Sequence, residues 1–438
     1  MPSAIHHDDV VPTAIPLKLS EDGMAINYDD PTSWNVTAAP AVYRSKNKIR
    51  SVVAGLDLTH TSSTKPLINL GLGDPTVFNL HPPSEASISA VQEALLSGGA
   101  NGYVPGTGDR AACAAVARYH QKWDGVSYQA EDVTLCHGAT HALDMCFSIM
   151  TSPGHNVLIP SPGFPAYETL LGNIQDCEIR TYECLPDRGW ECDVEQMESL
   201  IDDKTSFVLI TNPSNPCGNN MHPDHLRRIV ALAERKKISI IADEIYGHMQ
   251  WSEHPFVPLA SLSTQVPIVT LSGLSKRFLL PGWRFGWIVL HDPSNHAHAI
   301  RHALHCWGNR IMGPCSLIQK ALPRILDETP DAWFKEVVGK LENNAITCYD
   351  RLTRIPGLYC TFPTAAMYLL LGIDISHFPE FDSDVDFCSA LVKEQALFCI
   401  PGQSFGIDNH MRLVIAAPNA VLVDACERLE EFCLKHYV

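Results

Sequence analysis

The sequence predicts an α/β fold with a large domain built on a mostly parallel central sheet and a smaller α+β domain following it. Three observations carry this. The chain has 438 residues, beyond the size at which one hydrophobic core usually stops growing. From about Pro75 to Ser272, helical patterns alternate with short apolar runs that end in polar or Pro/Gly loops, the pattern of a parallel sheet with crossover helices. Past Trp287 the pattern changes to long helices and then a mixed region.

In chain order, residues 1–30 lack sustained periodicity and read as a flexible arm, with His6-His7-Asp8-Asp9 as part of that leader rather than a metal hook. Residues 31–75 are assigned as a segment contributing to the smaller domain, 76–319 as the large domain and 320–438 as the smaller one. Phe207–Ile210 and Ile238–Ala242 are the clearest buried strands. Between them Leu226, Ile229, Val230 and Ala233 fall at i, i+3, i+4 and i+7, so a helix crosses over with one face on the sheet. The loops after these strands, Asn212–Gly218 and Asp243–Tyr246, lie where open α/β sheets bind ligands. His298, His302 and His305 share a helix, and their spacing suits metal. No carboxylate or cysteine completes a ligand set, so they read as a solvated helix face. Later come apolar strands at Met367–Leu371 and Met411–Ala416. In the closing helix Leu422, Ala425, Cys426, Leu429 and Cys433 share one face, and Glu427, Arg428, Glu430 and Glu431 take the other.

Composition narrows the function. Lys and Arg number 32 against 49 Asp and Glu, a formal charge of −17, which argues against general affinity for nucleic acid or anionic lipid. No apolar run is long enough to span a bilayer, and the acidic start is unlike an export signal. The fifteen cysteines, without a C-x-x-C pair, fit reduced thiols and a cytoplasmic location. Cys217 is not made reactive by its type alone.

The chemistry concentrates in Leu271–Trp287. Lys276 sits where an apolar strand runs out into Ser/Gly, and Arg284 follows beside Pro-Gly. A desolvated lysine forms imines with aldehydes, and a guanidinium fork clamps a phosphate, with Ser275 adding a hydroxyl. A surface lysine on a loop is the plain alternative.

The stretches Gly73-Asp-Pro-Thr76, Asn101-Gly-Tyr103, Pro162-Gly-Phe164, Asn212-Pro-Ser-Asn-Pro-Cys-Gly218, Asp243-Glu-Ile-Tyr246, Ser275-Lys276 and Pro281-Gly-Trp-Arg284 occur in an order that resembles the tyrosine aminotransferase family, within the fold-type-I enzymes that use pyridoxal 5′-phosphate. The resemblance runs from about Trp34 to the C-terminus and includes Gly313-Pro-Cys315, Ala366-Met-Tyr368 and His377-Phe-Pro-Glu-Phe381. It implies that Lys276 holds the cofactor as a Schiff base and serves as catalytic acid and base. Asp243 then pairs with the pyridine nitrogen, which makes the ring an electron sink. Asn215 and Tyr246 bind its phenolic oxygen, and Phe164 stacks on the ring. The amides of Gly138 and Ala139 and the hydroxyl of Thr140 open a helix bearing Leu143, Cys146, Phe147 and Met150 on one face, and these hold the phosphate. Arg412, with Asn215 beside it, receives the substrate α-carboxylate, and Tyr103 reaches the neighbouring subunit's phosphate in a homodimer.

His137 departs from the family, which usually has Ser there; this bears on cofactor affinity rather than on reaction type. The implied reaction is ping-pong transfer of an amino group from tyrosine, or another aromatic or apolar amino acid, to a 2-oxo acid such as 2-oxoglutarate. A pyridoxal-phosphate C–S lyase and a non-catalytic cofactor-binding scaffold stand as alternatives. A methylene's difference is worth only about 1–3 kcal/mol in an apolar pocket, so the side chain alone does not fix the donor.

Overall fold

The computed structural model describes residues 47, 49, 51–52, 63–174 and 176–438. The arm read over residues 1–30 lies outside them, as does most of 31–62. The strands are β1 (Ile68–Asn69), β2 (Val133–Cys136), β3 (Asn156–Ser161), β4 (Glu178–Leu185), β5 (Glu191–Cys192), β6 (Thr205–Thr211), β7 (Ser239–Asp243), β8 (Ile268–Gly273), β9 (Gly286–His291), β10 (Leu358–Tyr359), β11 (Tyr368–Ile373), β12 (Leu397–Phe398), β13 (Ile400–Pro401) and β14 (His410–Val414).

Eight of them form one sheet in the order β2-β9-β8-β7-β6-β3-β4-β5. The run β8-β7-β6-β3-β4 is parallel throughout, and β9 lies antiparallel between β8 and β2. The expected buried strands are β6 and β7. Both are apolar on both faces, as a sheet covered by helices on each side requires. Val208, Ile210, Ile240 and Ala242 enter one core, whereas Phe207, Leu209 and Ile241 enter the other. The crossover helix Pro223–Lys236 buries Leu226, Ile229, Val230 and Ala233 on the first face. Helix Ala139–Met150 buries Leu143, Cys146 and Phe147 on the second, with Met150 partly covered.

A second, antiparallel sheet has the order β10-β11-β14-β13. It carries the predicted late strands, although the last ends at Val414, two residues before Ala416. Helix Asp331–Leu352 lies behind it and sends buried Asn344 to the carbonyls of Ile415 and Ala417 at 2.8 and 2.7 Å, satisfying acceptors where the ladder stops. The short β1 pairs in parallel with β12. Among the described residues no helix is long and apolar enough to cross a membrane.

The closing helix, Asn419–His436, corrects one expectation. Arg428 does not share a solvated face with its acidic neighbours; only 3% of it is exposed. Its Nη1 donates to the carbonyls of Pro66, Gln395 and Ala396 at 2.7, 3.0 and 3.2 Å, and Asp424 pairs with its other edge at 2.9 Å. Carbonyls clustered at the start of the β1–β12 pair create the demand, which a helical-face pattern does not reveal. His298, His302 and His305 are exposed on helix His298–Gly308, at the rim of a cavity of about 520 Å³.

The Asn344→Ala variant removes two hydrogen bonds from buried carbonyls. It should destabilise the fold by roughly 2–4 kcal/mol, visible as a lower urea midpoint in circular dichroism. An unchanged midpoint would show that other donors reach those carbonyls.

Candidate active site

The carboxyl ends of β6, β7 and β8 lie level. Thr211 is in register with Asp243, and Asp243 with Leu271. The chain leaving β8 turns sharply, with the Leu274 amide on the Phe285 carbonyl and the Leu279 amide on the Lys276 carbonyl, both at 3.0 Å. This sets the partly buried Lys276 beside Asp243. The Lys276 Nζ donates to the Gly73 carbonyl at 2.5 Å and lies 5.9 Å from the centre of the Tyr246 ring. Neither contact is anionic.

Asp243 is buried. It accepts from the Tyr167 hydroxyl at 2.7 Å and the Ile245 amide at 3.3 Å, and Tyr167 also meets the Thr211 hydroxyl at 2.8 Å. Burial raises the Asp243 carboxyl above its ordinary range, only partly offset by the Tyr167 and Ile245 hydrogen bonds and the Lys276 charge. Such a group gains most from a cation brought to it, as a protonated ring nitrogen would be.

Across from this row stands Arg412 of β14, 2% exposed. Its Nη1 donates to Asn215 Oδ1 at 2.9 Å and its Nη2 to the Gly71 carbonyl at 2.7 Å, while its buried Nε has no partner among the described residues. Rings of Tyr368 and Phe405 lie 4.4 and 4.6 Å from the guanidinium carbon. Burial lowers the arginine's affinity for its proton. No carboxylate of the described residues pairs with it, so the site presents a desolvated cation in want of an anion. With Asn215 Oδ1 engaged, the amide nitrogen of that side chain is what remains to donate. Close packing fixes this loop: at Gly218, with φ +71°, a Cβ would stand 2.3 Å from the Tyr368 carbonyl.

Gly138, Ala139, Thr140 and Arg284 gather at the start of helix Ala139–Met150. The first helical bonds run from the His141 and Ala142 amides to the Gly138 carbonyl, leaving the amides of Ala139 and Thr140 as the orphan donors of a helix N-terminus. The Gly138 amide is not one of them, because it donates to the Cys136 carbonyl at 2.8 Å. Gly138 instead provides space: a Cβ there would lie 2.7 Å from an Arg284 terminal nitrogen. Arg284 is exposed, and its Nη1 donates to the Pro281 carbonyl at 2.9 Å. The result is a helix N-terminus with a guanidinium at its edge, a donor set that suits an anion.

His137 meets the Gly313 carbonyl at 3.1 Å, and its amide donates to His141 Nδ1 at 3.2 Å. Burial and the neighbouring His137 push His141 down to about 4. Ser275 is buried in the turn before Lys276. Phe164 stands edge-on to Tyr167, 5.6 Å between ring centres. Tyr103, 90% exposed, touches none of these groups. Burial pushes the Cys217 thiol up to about 12, which keeps it protonated and unreactive.

Sequence reasoning missed Tyr167, Gly73 and Tyr368 as members of the site. The signal for Tyr368 was a hydroxyl-bearing residue in an otherwise apolar strand, and for Tyr167 its position one helical turn after Phe164. The Gly73 carbonyl has no side-chain signature.

Residues 65–429 match the family model described as aminotransferase class I and II. A tyrosine aminotransferase of Mus musculus is 42% identical over 405 residues, covering 92% of this chain and 88% of its own length. Nicotianamine aminotransferase A of Hordeum vulgare is 32% identical, covering 90% and 86%. The crystal structure of a tyrosine aminotransferase from Leishmania infantum superimposes with a TM-score of 0.89 at 29% identity, covering 93% of this chain and all of that one.

Asp243 yields a pH prediction. Its raised carboxyl lets the folded, unliganded protein hold the proton more tightly than the unfolded chain does. That stabilising contribution is present below the ordinary carboxylate range and is lost as pH rises through the folded-state value. The unliganded Asp243→Asn protein should therefore melt higher than the unliganded parent at pH 7.5, with the gap narrowing toward pH 5. A lower melting point for the variant at pH 7.5 would contradict this.

Proposed function

The chain belongs to the class I and II aminotransferases, whose cofactor is pyridoxal 5′-phosphate, and from that premise we propose that it transfers the amino group of tyrosine to 2-oxoglutarate. The buried, anion-lacking Arg412 facing Lys276 is the observation that carries this reading. An amino acid supplies the missing anion as its α-carboxylate and brings its amine toward the lysine. The mouse relative's name supports tyrosine as donor, and the rings of Tyr368 and Phe405 around the guanidinium are compatible with an aromatic guest. Nothing in the site favours the C–S lyase or the scaffold.

The residues fit the cofactor. Buried Asp243 suits a protonated ring nitrogen. The Asn215 amide nitrogen and the Tyr246 hydroxyl suit a phenolic oxygen. Ala139 and Thr140 amides, the Thr140 and Ser275 hydroxyls and Arg284 suit a phosphate, over the space left by Gly138. Phe164 offers a flat wall. Bound there, pyridoxal phosphate supplies an aldehyde that condenses with amines and a ring that takes up the electrons of a broken C–H bond.

Lys276 is the residue that would hold the cofactor between turnovers, and its amine would be set free for proton transfer once substrate occupies the site. The freed amine then stands as general base and acid, taking the α-proton from one carbon and delivering it to another. Arg412 would fix the carboxylate so that this proton faces Lys276, and Asp243 would hold the proton of the ring nitrogen. The second half-reaction runs the same steps backwards with the 2-oxo acid, which gives ping-pong kinetics.

Two further statements belong to this reading. Exposed Tyr103, Ile311 and Met312 lie on neighbouring loops, since a Cβ on Gly313 would stand 3.2 Å from the Gly106 carbonyl. This apolar rim beside the phosphate cradle supports a homodimer in which Tyr103 serves the partner's site. All fifteen cysteines are unpaired, which supports the cytoplasm as compartment.

Lys276→Ala should abolish both the visible imine absorption and turnover; full activity in that variant would sink the proposal. In a steady-state panel of amino donors against 2-oxoglutarate, pyruvate and oxaloacetate, tyrosine should give the highest kcat/KM. A preference for an aliphatic donor would overturn the substrate but leave the reaction standing.

A further inference from the structure

Tyr368 of β11 is 1% exposed and touches three working parts of the site. Its hydroxyl lies 2.6 Å from that of Tyr246, with the two rings edge to face at 5.5 Å. Its ring lies 4.4 Å from the Arg412 guanidinium carbon. Gly73, whose carbonyl receives Lys276, approaches so closely that a Cβ on it would stand 3.0 Å from the Tyr368 hydroxyl.

The direction of the phenol–phenol bond follows from what each group has to offer. Tyr246 has a single proton. If Tyr246 spends it on Tyr368, no other acceptor is in reach of the Tyr368 proton among the described residues, and a buried O–H is left unmade, which is costly. If Tyr368 donates to Tyr246, both protons are used once the cofactor's phenolic oxygen accepts from Tyr246. Such a chain polarises each successive donor. The same side chain lends a ring to Arg412, whose charge meets no carboxylate among the described residues, and a cation over an aromatic face is favoured most where water is excluded.

We propose that Tyr368 is a positioning residue that turns the Tyr246 hydroxyl toward the cofactor's phenolic oxygen and, through its ring, holds the Arg412 guanidinium in place for the substrate carboxylate. It rests on the function proposed above and adds a separate role for the hydroxyl and for the ring. Loss of the hydroxyl weakens Tyr246 as a donor. The phenolic oxygen then keeps more negative charge and binds the imine proton more tightly, so the imine titrates at higher pH. Loss of the ring acts instead on carboxylate binding.

The test uses the purified holoenzyme and two variants. Tyr368→Phe, which preserves volume, should raise the midpoint of the imine absorbance titration by about half to one pH unit. It should leave the Kd of 3-(4-hydroxyphenyl)propionate, a carboxylate without an amine, within about twofold of the parent. Tyr368→Leu should show the same spectral shift and weaken that ligand at least about tenfold. A parental midpoint in Tyr368→Phe overturns the hydroxyl's role on its own, even if the Leu variant fails to fold. Parental affinity in a folded Tyr368→Leu overturns the ring's role. Absence of an imine band in the parent enzyme would instead fell the function on which the proposal stands.

Discussion

A buried, charge-bearing hydrogen bond ties the two sheets together at the point where chemistry is expected. Arg412, from the antiparallel sheet, donates at 2.9 Å to Asn215, from the loop that leaves the parallel sheet. Both groups are buried, so the bond works in a medium where its loss would strand a charge. Everything on the parallel side is held by strand register, which brings Thr211, Asp243 and Leu271 level. Everything on the other side is held by β11 and β14. The Asn215–Arg412 contact fixes how the two rows face each other, and the Gly218 backbone against the Tyr368 carbonyl leaves little room for a different spacing.

The site gives up stability for its task. A carboxylate sealed beneath Tyr167 and a buried guanidinium whose Nε has no partner among the described residues are each unfavourable in an empty protein. They are adjacent, and their signs are arranged: cations at the phosphate cradle and at Arg412, an anion at the far end of the ring. A flat ligand with a phosphate on one side and a protonatable nitrogen on the other answers the cradle and Asp243, and the substrate carboxylate answers Arg412. Each binding event would stabilise the folded protein by mass action.

Much of this was legible in the sequence because the residues concerned sit in local patterns. Lys276 follows an apolar strand, Asp243 ends one, and Asn215 lies in a proline-bounded loop between β6 and its crossover helix. The period of the apolar residues was enough to place β6, β7 and the helix between them. What stayed hidden depended on partners far away in the chain. Arg428 looked like one more charge on a solvated face, and only the carbonyls left near the β1–β12 pair make it a core residue. Gly138 was expected to give an amide to phosphate, yet its amide turns back to Cys136, and the missing side chain is what Arg284 uses. Tyr167, Tyr368 and Gly73 belong to the site through a hydroxyl or a carbonyl whose direction no spacing rule specifies.

The attachment of Arg428 to Pro66 reaches further than its place on the last helix suggests. A few residues beyond Pro66 the chain passes Gly71 and Gly73, whose carbonyls receive Arg412 and Lys276. Segments 362 residues apart in sequence are thus tied together behind one wall of the candidate site, so the last helix braces the backbone that receives both Arg412 and Lys276.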